Sequence, residues 1–133
     1  MNSYFSVNDA NKILPLVIKK FNYAKKAKAE VMKMEQQLTS EMTPTISLEE
    51  YNINKRKLNS SITKFYQSIE DLENTGVSLK GLDEGLLDFP AKRFDEEIWL
   101  CWKEGETEIK FWHEKDSGFM GRKPISVSNE SLV

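Results

Sequence analysis

Ile98-Trp99-Leu100-Cys101-Trp102-Lys103-Glu104-Gly105-Glu106-Thr107-Glu108-Ile109-Lys110-Phe111-Trp112-His113 decides the architecture of this chain. Two runs rich in β-branched and aromatic residues flank a turn at Gly105-Glu106, which is the pattern of an antiparallel hairpin. Whether the loop has two residues or four, the register pairs Lys103 with Glu108, Cys101 with Lys110 and Trp99 with Trp112. Side chains alternate along a strand, so Ile98, Leu100, Trp102, Ile109, Phe111 and His113 share one face, the expected core. Trp99, Cys101, Lys103, Glu108, Lys110 and Trp112 share the other, and Cys101 is expected to point away from His113.

Upstream lie two more short strand-like pieces, Val77-Ser78-Leu79 and Gly85-Leu86-Leu87-Asp88-Phe89, the second closed by Pro90 as suits an edge strand. Before Gly76 the period changes to that of helices. Ser6 with Asp9 reads as a capping box, Phe5 and Ala10 as its staple, and Ala10, Ile13, Leu14, Val17, Phe21, Ala24, Ala27, Val31, Met34 and Leu38 as one buried stripe ending near Met42. Pro15, inside that helix, cannot donate to the carbonyl of Asn11; a kink is expected, with Asn11 leaning toward solvent.

Thr43-Pro44-Thr45 breaks the pattern, and Ser47 with Glu50 opens a second helix striped by Tyr51, Leu58, Ile62, Phe65, Ile69 and Leu72. The short link makes the pair antiparallel. Helices of roughly 30 residues reach about 45 Å, so part of the hairpin is expected to project. Downstream, Gly118-Phe119-Met120-Gly121-Arg122-Lys123-Pro124 reads as a glycine-flanked loop. The fold class is therefore α+β, a long antiparallel two-helix hairpin followed by a small antiparallel β-sheet. One domain over residues 1–133 is expected, with the hairpin at 5–76, the sheet and loop at 77–125 and a frayed tail at 126–133.

Composition narrows the function classes. The chain has 133 residues, 39% hydrophobic and 30% charged, with net charge −2, so no global charge draws it to nucleic acid or anionic lipid. The one cysteine, Cys101, excludes an internal disulfide and every multi-cysteine metal site. A reducing, cytoplasmic setting is expected, since no basic, apolar leader opens the sequence and no apolar run approaches the ~20 residues of a membrane helix.

Five segments carry a family resemblance: Tyr4-Phe5-Ser6-Val7-Asn8-Asp9-Ala10-Asn11 with Ile13-Leu14-Pro15-Leu16, Gly85-Leu86-Leu87-Asp88-Phe89-Pro90, Leu100-Cys101-Trp102-Lys103, Ile109-Lys110-Phe111-Trp112-His113 and Gly118-Phe119-Met120-Gly121-Arg122. Together, over nearly the whole chain, they resemble the prokaryotic domain-of-unknown-function family 2203. The resemblance implies a fold and a motif set, and no chemistry or catalytic residue comes with it.

Candidate site residues follow from residue type and placement. Asp88, His113 and Glu114, with Asp116 nearby, have side chains that ligate divalent metals. The ordinary reading is a packed, hydrogen-bonded histidine, and no metal is assigned. The expected parity separates Cys101 from His113 and disfavours a thiol–imidazole nucleophile. Arg122 between glycine-flanked turns suits a carboxylate or phosphate; its ordinary reading is an ion pair to Asp88 or Glu114. Trp99 and Trp112 form an expected aromatic surface.

Lys12, Lys19, Lys20, Lys25, Lys26, Lys28 and Lys33 give helix one a basic face, whose ordinary reading is a solvated surface. The favoured reading is a non-enzymatic interaction module that assembles as a homodimer through its helices or with a protein partner. The second is a small-molecule- or metal-binding enzyme with its site near Asp88, His113, Glu114 and Arg122. The third, least favoured, is an RNA- or ribosome-associated protein using the lysine face. No cofactor and no reaction are prescribed by these patterns.

Overall fold

The computed structural model describes residues 4–40 and 46–128. Helix α1 spans Val7–Ser40 and opens as expected, with the Ser6 hydroxyl accepting the Asp9 N–H at 3.0 Å. It runs unbroken through Pro15. Helix α2 spans Leu48–Glu73, and Ser47 Oγ accepts the Glu50 N–H at 3.1 Å. Gly76 ends the helical part with φ +106°, a left-handed conformation that favours glycine, while the Phe5 ring lies 3.0 Å from where a Cβ would stand. The break at Thr43-Pro44-Thr45 lies outside the described residues.

The sheet is an antiparallel meander in chain order: β1 Ser78–Gly81, β2 Leu86–Arg93, β3 Glu96–Lys103, β4 Phe111–Glu114 and β5 Lys123–Pro124. Strand β2 does not stop at Pro90. It continues to Arg93 and turns back through Phe94 and Asp95, both at positive φ, as a two-residue hairpin requires. Pro90 is tolerated because β1 pairs with β2 only as far as Asp88; beyond that the Pro90 carbonyl accepts the Phe5 N–H at 2.7 Å. One helical turn, α3 Ile125–Ser128, closes the described chain. The expected fraying of the remaining tail, 129–133, lies outside the described residues.

The inner face of the sheet and the first half of α1 make the core. Ala10, Leu14, Val17, Phe21 and Ala24 pack against Leu87, Phe89, Leu100, Trp102 and Trp112. The Phe21 and Trp102 rings meet edge to face at 5.2 Å, and Phe5 meets Phe89 likewise at 5.3 Å. Each large side chain removed from water here contributes roughly 1.5–3 kcal/mol.

Lys25 and Lys28 tie α1 to the loops of the sheet through Glu104 (2.8 Å) and Asp83 (2.7 Å). Beyond Lys28 the hairpin leaves the sheet, and Val31 is the only buried residue among the described positions 29–40 and 46–60. Ser61 Oγ lies 3.0 Å from Met34 Sδ, as an antiparallel pair demands.

The pairing of β3 with β4 differs from the expected register by one residue. Trp99 faces His113, Leu100 faces Trp112 and Cys101 faces Phe111. Side-chain hydrogen bonds explain the slip. Glu106 Oε1 accepts the Lys103 N–H at 2.7 Å, the Glu106 carbonyl accepts the Trp102 indole N–H at 2.8 Å, and Asn11 Oδ1 accepts the Ile109 N–H at 2.7 Å. Donors around the turn are thus satisfied outside the ladder, and residues 104–110 form a longer connection. Asn11 therefore turns to the sheet instead of to solvent.

A one-residue slip moves every side chain of β4 to the other face. Trp112 joins the core, and Phe111 and His113 move to the outer face beside Cys101. The aromatic surface expected from Trp99 and Trp112 is not formed, because the two rings lie on opposite faces.

Candidate functional site

The outer face carries Asp88 on β2, Cys101 on β3 and His113 on β4. Asp88 stands directly opposite Cys101, and His113 stands opposite Trp99, diagonal to Cys101. Cross-strand and diagonal neighbours on one face are within side-chain reach. A carboxylate oxygen, the sulfur and an imidazole nitrogen all lie within 4.8 Å of one another. The three residues are buried, at 3%, 1% and 3% exposure.

Hydrogen bonding fixes the imidazole. Nδ1 lies 2.8 Å from the Glu114 carbonyl, which can only accept, so Nδ1 carries a proton. Nε2 lies 3.0 Å from Asp88 Oδ2, and one proton is shared between them. The Cys101 thiol donates to the same carboxyl. Burial raises the pKa of Asp88, and the positive charges of His113 and Lys80 together with the two hydrogen bonds oppose the rise. Burial, followed by the charge of Asp88, pushes the Cys101 thiol up to about 12. A thiol so held is no thiolate nucleophile at neutral pH. The register overturns the parity that kept Cys101 from His113, yet the electrostatics still argue against nucleophilic catalysis.

A cleft of about 290 Å³ opens over the three residues. Lys80 of β1 and Trp99 line it together with Lys115, Asp116, Gly118 and Phe119 of the segment after β4. The Lys80 ammonium sits 4.3 Å from the Trp99 ring centre and the Lys115 ammonium 5.7 Å from it.

The remaining candidates give the cluster no side-chain donor, although the charge of Arg122 acts on Cys101. The Glu114 side chain is exposed and pairs with Lys123 at 2.5 Å, which holds its pKa below the usual range; only its carbonyl serves the cluster. Arg122 reaches neither Asp88 nor Glu114. Its Nη2 donates to both Glu106 oxygens at 2.8 Å, and its guanidinium stacks on Phe111 at 3.9 Å and Phe119 at 4.7 Å. Sequence reasoning missed Lys80 and Lys115 and set Cys101 on the face opposite His113. The repeated spacing of Trp99-x-Cys101 and Phe111-x-His113 held the signal for Cys101, visible only once residues 104–110 are read as an irregular connection.

Three donors of types S, N and O on adjacent strands suit a borderline-soft divalent cation. An N–H donated from the far ring nitrogen to a backbone carbonyl is the usual support of a metal-bound histidine. Among the described residues no helix is long and apolar enough to cross a membrane. No curated protein and no solved structure matches the chain. The family model described as uncharacterized conserved protein (DUF2203) matches residues 3–125, and the chain belongs to that family.

Proposed function

We propose that the protein binds a zinc-type divalent cation through Asp88 Oδ, Cys101 Sγ and His113 Nε2, and works at the cleft above it. The observation that carries this reading is the convergence of three different buried donors with the imidazole already oriented by the Glu114 carbonyl. Metal sites with three protein ligands keep a further position for water or substrate, and the cleft leaves room for one. Binding displaces the thiol proton and the proton shared by Asp88 and His113.

Zinc titration of chelator-treated protein, followed by calorimetry and thermal unfolding, tests the reading. Saturation at one ion per chain with a raised melting temperature is expected, and both should weaken in Cys101→Ser and in Asp88→Asn. Absence of binding in the wild type, or equal binding in both variants, contradicts it.

A second reading, self-association through the hairpin, draws support from Tyr23 and Tyr66, which remain 59% and 67% exposed. Phe21 lends this reading no support, because Trp102 covers it. Light scattering separates the two readings: a dimer dispersed by Tyr23→Glu or Tyr66→Glu favours assembly, and a monomer at high micromolar concentration opposes it.

A further inference from the structure

The lining of the cleft points to what meets the ion. With Asp88 and Cys101 as anionic ligands and His113 neutral, a divalent ion leaves its protein ligands and itself with no net charge. Lys80 is then a full positive charge at the edge of the site. Among the described residues it makes no ion pair; its ammonium rests on the Trp99 ring, and its charge acts on Asp88. Lys115, which also lines the cleft, is neutralised by Glu97 at 2.6 Å. Lys80 is thus the cleft cation that lacks a carboxylate partner among the described residues, and it lines the same cleft as the three donors. Asp116, the one acid on the rim apart from Asp88, lies in the segment after β4 and offers the competing possibility of closing the site from within the chain.

Resting on the metal reading above, we infer that the open coordination position takes a small oxyanion, a carboxylate or phosphate group, whose second oxygen is held by the Lys80 ammonium against the Trp99 ring. A metal on one oxygen and an ammonium on another is a two-point contact that neither a neutral alcohol nor an amine reproduces. The volume of about 290 Å³ suits a small molecule.

Cobalt(II) in place of zinc gives an optical test, because its visible bands report the ligands around the ion. Cobalt-loaded protein is titrated with acetate in one arm and inorganic phosphate in the other. Saturable band shifts are expected in at least one arm, the stronger arm naming the preferred headgroup. In Lys80→Ala the half-saturation concentration should rise about tenfold, as loss of a charge-assisted hydrogen bond implies. Lys33→Ala, on the far part of α1, should leave it unchanged.

Cobalt bands indifferent to both anions but altered by Asp116→Asn would mean that Asp116 fills the fourth position; the inference falls while the metal reading stands. Anion shifts of equal affinity in Lys80→Ala would remove Lys80 from the site. Failure of cobalt to bind at all would overturn the metal reading and this inference together, and is distinguished at the first step.

Discussion

Asp88→Asn and Asp88→Ala divide the carboxyl's two roles, one in holding the metal-free sheet and one in holding a metal. In the metal-free chain His113 Nδ1 donates to the Glu114 carbonyl, so opposite an uncharged residue 88 the ring offers Nε2, 3.0 Å from Asp88 Oδ2 in the wild type, as an acceptor. An asparagine amide can donate to that nitrogen and accept the Cys101 thiol proton, reproducing both contacts without charge. Asp88→Asn should therefore cost less than about 1 kcal/mol in chelator. Asp88→Ala leaves a buried ring nitrogen and a thiol without partners, which costs about 2 kcal/mol. That corresponds to roughly 6–10 °C for a chain of this length.

With free zinc at a hundred times its dissociation constant, the wild type should gain about 2.7 kcal/mol. If the amide weakens binding a hundredfold, the gain at the same zinc concentration falls to about 0.4 kcal/mol. Urea unfolding in chelator and in buffered zinc reads all of these values. Asp88→Asn as unstable as Asp88→Ala in chelator, or stabilised by zinc as fully as the wild type, would refute the reasoning.

The pH dependence supplies a sign. Because burial raises the pKa of Asp88 when folded, its contribution to metal-free stability is fully present below the ordinary aspartate value of ~4. It is lost as pH rises through the folded value, and Asp88→Asn should lack that loss.

Cys101, with its thiol raised to about 12, should react with alkylating reagents at pH 8 far more slowly in the native than in the unfolded chain, and fast native labelling would contradict its buried, protonated state. The same shift means that stability falls as pH rises from about 9 toward about 12, a decline expected to disappear in Cys101→Ala. Phe21→Ala should lower stability by about 3–5 kcal/mol in urea unfolding through loss of its contact with Trp102; a loss below 1 kcal/mol would place the α1–sheet core elsewhere. Arg122→Ala should lower the melting temperature by releasing Glu106, with Arg122→Lys recovering only part, and zinc affinity should stay within about twofold; a large loss of zinc affinity would return Arg122 to the site.

The helices were legible because their signals are local. Ser6 and Ser47 announce helix starts through side-chain caps, and Leu14, Val17, Phe21 and Ala24 recur with the helical period. The sheet was legible in class and less so in detail. The Phe94-Asp95 turn escaped because a phenylalanine at positive φ carries no turn signature, so β2 was cut short at Pro90.

The register of β3 and β4 turned on Asn11, which is 98 residues from the Ile109 amide it binds, and on Glu106, whose side chain replaces a ladder partner. Such bonds have no periodicity to read. Asp88 and His113 were legible as candidates from residue type alone. Cys101 was excluded by the same one-residue slip that exchanged Trp112 for His113 between faces. Glu114 and Arg122 stand out for their chemistry, and their side chains are engaged by ion pairs with Lys123 and Glu106.

X-ray absorption at the zinc edge, on protein loaded with one equivalent and passed through a desalting column, tests the three-donor centre most directly. One sulfur at about 2.3 Å together with nitrogen and oxygen scatterers at about 2.0–2.1 Å is expected. The sulfur signal should vanish in Cys101→Ser, and the imidazole signature should vanish in His113→Gln. Zinc lost on the column, or zinc surrounded by light atoms alone in the wild type, would contradict a centre built from Asp88, Cys101 and His113.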